Sequence, residues 1–462
     1  METLKPHVCV IGAGPAGLAA ATTAAALGAS VVLVEKSRTG GTSLHTGAVP
    51  MQVLVAAARR AYAASALRGP TATRMEFAKV RETVRNTIAA IAPNDAKERL
   101  GGLGIRVIDG AARFTGRGRL AIGDTIEVRA RRYIIAAGSL PALPDITGLS
   151  DADVLTNETI FDLERCPEHL IVIGATANGL ALAQSFRRFG AGVTVLDQGE
   201  PLAGEDPECA RMVLGALVGE GIALRTGVTI AKVERAGERV RVTMGEDTID
   251  GSHLLIAGAR RPNVDSLGLD RARVRCGPDG IAVNAQLRTR NRRVYAAGDV
   301  TGGPSLTNAA RHQGEIAARL ALGRRAPRAS AIPRVTFTDP ELAHVGLTDE
   351  AARRRNRAIR VLRWPYYDVD RAQAEGEPRG HIKVVTDRRG GILGATIVGA
   401  GAGEMIAIWS LAIGKGLDIT AISGMIVPYP TLGEVGKRAA MTYFSVGAPQ
   451  NWLQRLVGWL RR

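Results

Sequence analysis

The residues best suited to chemistry fall into two glycine clusters, each followed by an acid at a strand end. Gly12, Gly14 and Gly17 follow the apolar run VCVI, and Glu35 ends the next run, VVLVE, 18 residues after Gly17. The first glycine permits a tight turn, the second lets backbone approach a pyrophosphate, and the third lets helix and strand pack closely. The N-terminus of the intervening helix favours an anion, and Glu35 is placed to bond a ribose hydroxyl. Gly174, Thr176 and Gly179 repeat the pattern after HLIVI, and Asp197 ends GVTVLD. The spacing predicts two dinucleotide sites. In the second, Thr176 holds the middle glycine's place, where a side chain crowds a pyrophosphate. Asp197 suits a free ribose 2′-hydroxyl and repels a 2′-phosphate, and Gln198 and Gly199 bring no compensating cation. A retained structural lobe with little or no affinity is the alternative reading of this second unit.

Residues 40–52 read GGTSLHTGAVPMQ. This stretch resembles the redox loop of the class I pyridine nucleotide-disulfide oxidoreductases, the family of dihydrolipoamide dehydrogenase, glutathione reductase and mercuric reductase. In the family the loop carries two cysteines and a lysine. Here Ser43 and Ala48 stand at the cysteine places and Gln52 at the lysine's. The resemblance runs through residues 7–445 in motif order. IAAGS (135–139), with Gly138, resembles the family's strand-end turn, and RRVYAAGDVTGGPSLTNAARHQGEIAA (292–318) its second flavin motif. HLLIAGARRPN (253–263), with Gly258, and PYPTLGEVGKR (428–438) resemble the closing segment of the nicotinamide domain and the segment bearing the family's His-Glu dyad.

The resemblance implies FAD held by Gly12, Gly14, Gly17, Glu35, Gly41, Thr42, Gly110, Ala111, Gly138 and Asp299. It implies a nicotinamide cofactor, NADH before NADPH, at Gly174, Gly179, Asp197 and Gly258. Tyr429 stands where the dyad histidine would be, as it does in mercuric reductase, and Glu434 is kept. With His45, which lies between the former cysteine places, these are the candidate catalytic groups. The plainer readings are a loop histidine bonded to local backbone and a tyrosine packed at a dimer interface.

These residues must be positioned by an α/β fold with two doubly wound dinucleotide-binding domains and a C-terminal α+β dimerisation domain. The FAD domain is expected over 1–150 and 260–330, the NAD(P) domain over 151–259 and the interface domain over 331–462. Helices are expected from Val53 to about Ala66 and from about Met75 to Leu100, then at 403–414 and 432–445. Strands are expected in GIRVIDGAARFTG and TIEVRARRYIIAAG, and a hairpin around Arg388–Gly391. The tail NWLQRLVGWLRR (451–462) gathers Trp452, Leu453, Leu456, Val457 and Leu460 on one helical face. It reads either as a helix docked on its own dimer or as a basic amphipathic helix on a membrane surface.

Length suits several domains, since 462 residues exceed one ordinary core. The net charge of +16 is scattered, with no run of basic residues interleaved with aromatics, which argues against nucleic acid. The four cysteines, Cys9, Cys166, Cys209 and Cys276, form no CxxC or CxxxxC pair, which points to reduced cytoplasmic thiols rather than a secreted disulfide framework. No apolar run approaches the roughly 20 residues that span a bilayer.

The departures gather at the active centre. The family's lysine is paired with a glutamate, and here both are lost, as Gln52 and Ala181. A lone buried charge would cost several kcal/mol, so the two losses belong together. Ser43 is a poor nucleophile without activation and Ala48 is none. Disulfide reduction by the family mechanism is therefore not expected. The leading expectation is an FAD-dependent NAD(P)H oxidoreductase that passes electrons from flavin to a small non-thiol acceptor, a quinone or similar. The alternatives are a flavin-dependent dehydrogenase or oxidase of a small substrate without a nicotinamide step, and a catalytically silent FAD-bound homodimer acting as a binding protein.

Overall fold

The computed structural model describes residues 1–68, 77–327, 331–355 and 358–444. The expected tail helix at 451–462 lies outside them. Contacts divide the described residues into two units: 1–201 with 220–327, and 202–219 with 331–355 and 358–444.

The first unit holds two parallel five-stranded sheets. One orders its strands Val294–Ala296, Arg132–Ile135, Val8–Ile11, Val31–Glu35 and Ile105–Asp109. All four residues of Val8–Ile11 are buried, as continuous apolar runs must be when both faces of a parallel sheet are covered. The alanine-rich helix Pro15–Ala26 packs on this sheet and against the helix Thr307–Ala321. The two helices meet at Gly314, where a β-carbon would lie 2.1 Å from the Ala16 carbonyl oxygen. The other sheet orders Val154–Leu155, His253–Ile256, His169–Ile173, Gly192–Asp197 and Ala223–Thr226, with the helix Ala177–Arg188 against it.

The long helix expected up to Leu100 is in fact three pieces: Phe77–Ile91, a 3-10 turn Ala92–Asp95, and Lys97–Gly102. Pro93 is the reason, because it has no N–H for the ladder and its ring obstructs the preceding turn. The helix expected from Val53 begins five residues earlier, at Ala48, and runs to Arg68.

In the second unit an antiparallel sheet orders Arg334–Thr336, Glu341–Gly346, Ile392–Gly399, His381–Asp387 and Ile359–Pro365. The expected hairpin joins its third and fourth strands. The helices Ala402–Lys415 and Glu434–Met441 lie on this sheet. His344, 1% exposed, donates from Nε2 to the Gly346 carbonyl (3.0 Å) and accepts from Thr396 Oγ1 at Nδ1 (2.8 Å). Burial, with Arg334 assisting, lowers its pKa from 6.5 to about 4. The unfolded chain therefore binds the extra proton first, and stability from neutral His344 is full above pH 6.5 and lost as pH falls toward 4. That loss is about 3 kcal/mol. Unfolding free energies of wild type and His344→Gln, from denaturant titrations across this range, should converge by that amount as the solution is acidified.

Candidate functional site

The two glycine turns are built alike. Gly12 has φ +99° and Gly174 φ +114°, the left-handed region that favours glycine. Glu35 accepts from Ala13 N (2.6 Å) and Ser37 N (2.8 Å), while Asp197 accepts from Ala175 N (2.6 Å) and Gly199 N (2.7 Å). Each acid thus first braces its own turn, and its oxygens keep lone pairs for a ribose hydroxyl. Gly17 and Gly179 make the close helix-to-turn contacts: a β-carbon would fall 1.7 Å from Gly12 O and 2.1 Å from Gly174 O.

The turns differ at their middle residue. Gly14 is the N-cap of Pro15–Ala26 and caps it with no side chain, so the first-turn N–H groups are available to an anion. Gly41 approaches it closely, since a β-carbon there would be 2.7 Å from Gly14 Cα. Thr176 caps the helix Ala177–Arg188: its Oγ1 accepts from Gly179 N (3.2 Å) and donates to Ala257 O (2.7 Å). One donor of the second cradle is therefore already taken.

The remaining cradle candidates sit at the C-terminal ends of the strands or in the turns beyond them. Gly110, φ +146°, donates its N–H to Glu35 O (2.8 Å) and is followed by the exposed Ala111. Gly138 and Gly258 have open space where a β-carbon would stand. Thr42 lies in the short helix Gly41–His45.

Asp299 belongs to a network that sequence reasoning missed. Ser139 Oγ donates to Asp299 Oδ2 (2.7 Å) and accepts from Arg260 Nε (2.8 Å). Arg260 also donates to Ser139 O and Asn157 Oδ1, each at 2.8 Å, and Asn157 Nδ2 donates to Thr46 O at 3.3 Å. The 40–52 loop is thereby linked to Asp299 through one guanidinium. Burial lowers the pKa of Arg260, and the carboxylates of Asp299 and Glu158 oppose that shift. The pairing of Arg260–Pro262 with Ser139–Pro141 makes this contact; the sequence offers the ARRPN segment and its two arginines, but not their partners.

The loop has no thiol. Ser43 Oγ shares a hydrogen bond with Thr307 Oγ1 (3.0 Å), and Ala48 opens the helix Ala48–Arg68. His45 Nε2 bonds Thr39 O (2.8 Å), the local backbone contact, and its Nδ1 is buried without a partner among the described residues. Gln52 and Ala181 lie on two helices that pack together, and Gln52 Nε2 is likewise buried and unpartnered among the described residues. Two orphaned buried nitrogens, on the 40–52 loop and the helix that follows it, are polar groups of the kind that a bound flavin's polar edge would satisfy.

Tyr429 and Glu434 lie in the second unit and are not bonded to each other. Tyr429 Oη donates to Asp370 Oδ2 (2.7 Å), which raises the phenol's pKa and keeps its proton. Glu434 Oε1 faces Arg438 Nη2 at 3.6 Å, and its Oε2 is unpartnered among the described residues.

A family model described as pyridine nucleotide-disulphide oxidoreductase matches residues 6–314, and the dimerisation domain of the same family matches 332–440. A mercuric reductase from Streptomyces lividans is 34% identical over 455 residues, covering 95% of this chain and 96% of that relative. A dihydrolipoyl dehydrogenase from Bacillus subtilis is 34% identical over 463 residues, covering 96% and 97%. The crystal structure of LpdA from Mycobacterium tuberculosis superposes with TM-score 0.88 at 26% identity, covering 96% of this chain and all of that one.

Proposed function

This chain belongs to the pyridine nucleotide-disulphide oxidoreductases, and from that premise we propose that it oxidises NAD(P)H through FAD and delivers the electrons to a small non-thiol acceptor, a quinone or similar. FAD and a pyridine nucleotide are the cofactors of the family, and its dimerisation domain supports a homodimer. When bound, FAD accepts a hydride and returns its electrons singly or in pairs. The residues of this chain supply the rest. The uncapped helix at Gly14, with Gly12, Gly17, Glu35, Gly41 and Gly110, holds the adenosine diphosphate half. Asp299, fixed by Ser139 and Arg260, orients the flavin half. Gly174, Gly179, Asp197 and Gly258 receive the nicotinamide cofactor, with Asp197 selecting NADH. Tyr429, kept protonated by Asp370, is the candidate proton donor to the acceptor.

The observation that carries this reading is the loop 40–52 itself, which has no cysteine and whose Ser43 hydroxyl is engaged by Thr307. Alkylated enzyme should therefore turn over NADH with a quinone acceptor at the rate of untreated enzyme, and neither form should reduce lipoamide or glutathione disulfide. Disulfide turnover abolished by alkylation would sink the proposal. A second reading, without a nicotinamide step, is favoured by one feature: Thr176 occupies the Gly179 donor. Thr176→Gly frees that donor at a capping cost of only a few tenths of a kcal/mol. It should lower the KM for NADH if the nicotinamide step exists.

Arg260→Met should weaken FAD retention by about ten- to a hundredfold, the loss of one or two charge-assisted bonds at about 1.5 kcal/mol each. Fluorescence titration of the apoprotein with FAD measures this. An unchanged affinity would show that Asp299 needs no bracing.

A further inference from the structure

We propose that a basic concavity on the first unit, sharing no residue with the glycine cradles, binds an oligophosphate anion such as the triphosphate chain of a nucleotide. The cavity, of about 670 Å³, is lined by Arg117, Arg273, Arg275 and Arg290, with Asp270 the one carboxylate. Its size lies within the range of small-ligand pockets, about 300–1,000 Å³. Four guanidiniums against one carboxylate leave a net triple positive charge. None of the four side chains has a hydrogen-bond or ion-pair partner among the described residues. Some other arginines of this unit do pair with carboxylates: Arg106 with Glu2, Arg241 with Asp250, Arg261 with Asp265. Four like charges gathered around a single carboxylate repel, so an anion would stabilise the cluster, and guanidinium forks match phosphate oxygens.

The site is also built. Asn291, 3% exposed, donates from Nδ2 to Arg117 O (2.9 Å) and Ala272 O (2.8 Å), while its Oδ1 accepts from Arg293 N (3.1 Å). One buried amide therefore locks together the three segments that carry the arginines. Arg273 is held at φ +56° in a turn closed by Arg273 N to Asp270 O (3.0 Å), a backbone state that a non-glycine residue adopts at a cost. No aromatic side chain lines the cavity, which disfavours base stacking and hence a nucleic-acid strand. The recognised chemistry is the phosphate chain.

Cys276 also lines this cavity and is exposed, whereas Cys9 and Cys209 are buried. Its alkylation rate in the FAD-loaded full chain, followed by peptide mass mapping, reports occupancy. Tripolyphosphate at ten times its Kd should slow alkylation roughly tenfold, ATP should do the same, and sodium chloride at equal ionic strength should not. Arg273→Glu with Arg275→Glu should abolish the protection while flavin content stays unchanged, and Arg117→Gln with Arg290→Gln should weaken it. Equal slowing by sodium chloride, no slowing, protection by ATP alone, or protection that survives charge reversal would each overturn the proposal.

Discussion

Gly17→Ala should purify without flavin and unfold well below the wild type. Ordinarily the change would help, because alanine exceeds glycine in helix propensity by about 1 kcal/mol. Here the added β-carbon would lie 1.7 Å from Gly12 O and 2.9 Å from Gly12 C. Both are backbone atoms of the Gly12 turn, so no side-chain rotation relieves the clash. Either the helix Pro15–Ala26 lifts from the turn or the turn deforms. Overpacking of this kind costs about 1–3 kcal/mol and sometimes more, against a total stability of about 5–15 kcal/mol. The displaced turn would also misplace the N–H groups proposed to hold the cofactor. The ratio of flavin absorbance to protein should fall at least about tenfold, equivalent to roughly 1.4 kcal/mol of binding. Gly215→Ala is the control: it lies inside the helix Pro207–Gly219 with nothing within 4 Å of its added carbon. It should keep its flavin and gain slightly in stability.

Lys383→Met should destabilise the protein by about 3–5 kcal/mol, the cost of breaking a buried ion pair from one side. Lys383 Nζ lies 2.7 Å from Asp206 Oδ2, 3.0 Å from Asp349 Oδ1 and 3.3 Å from Glu208 Oε2. The Lys383 side chain is 5% exposed and that of Asp206 1%. Burial works against the ammonium, but its carboxylate partners outweigh it and its pKa is raised. The network is therefore intact throughout the neutral range and is lost only above the ordinary lysine pKa. Methionine keeps the length and removes the charge. Asp206 Oδ1 retains the N–H groups of Glu208 and Cys209, while the buried Oδ2 loses its ammonium. Adding Asp206→Asn should restore a large part of the loss, because the residual buried charge disappears. Guanidinium unfolding of the two single variants and the double variant completes the cycle. A loss below about 1 kcal/mol for Lys383→Met would mean that the cluster behaves as a solvated surface pair.

The sequence made the repeated units legible because their geometry is local. Gly12, Gly17 and Glu35 act within 30 residues, as do Gly174, Gly179 and Asp197, and each glycine's reason is a turn or a close approach that residue type alone announces. The Pro93 break is equally local, but the helical periodicity that runs through it masks it. What remained hidden is what the fold brings from afar. The chain Asn157–Arg260–Ser139–Asp299 is built from bonds that span 103, 121 and 160 residues of sequence, and no spacing rule records that. The grouping of Leu202–Gly219 with the C-terminal strands contradicts nothing in the strand-helix-strand order, yet it could not be read from it. Lys383 offered one clue, a lysine inside the apolar strand His381–Asp387, but not its partners. For Tyr429 the resemblance supplied the place, and the structure supplied a different neighbour, Asp370 rather than Glu434.

The most direct measurement is an anaerobic titration of the flavin-loaded protein with NADH, following the visible flavin absorbance. A flavin takes two electrons, and a redox-active disulfide beside it would take two more. Bleaching should be complete at one NADH per flavin, with no long-wavelength thiolate-to-flavin band at any stage. Bleaching that requires two NADH per flavin would reveal a dithiol and contradict the non-thiol route. Bleaching by neither NADH nor NADPH would contradict the nicotinamide step.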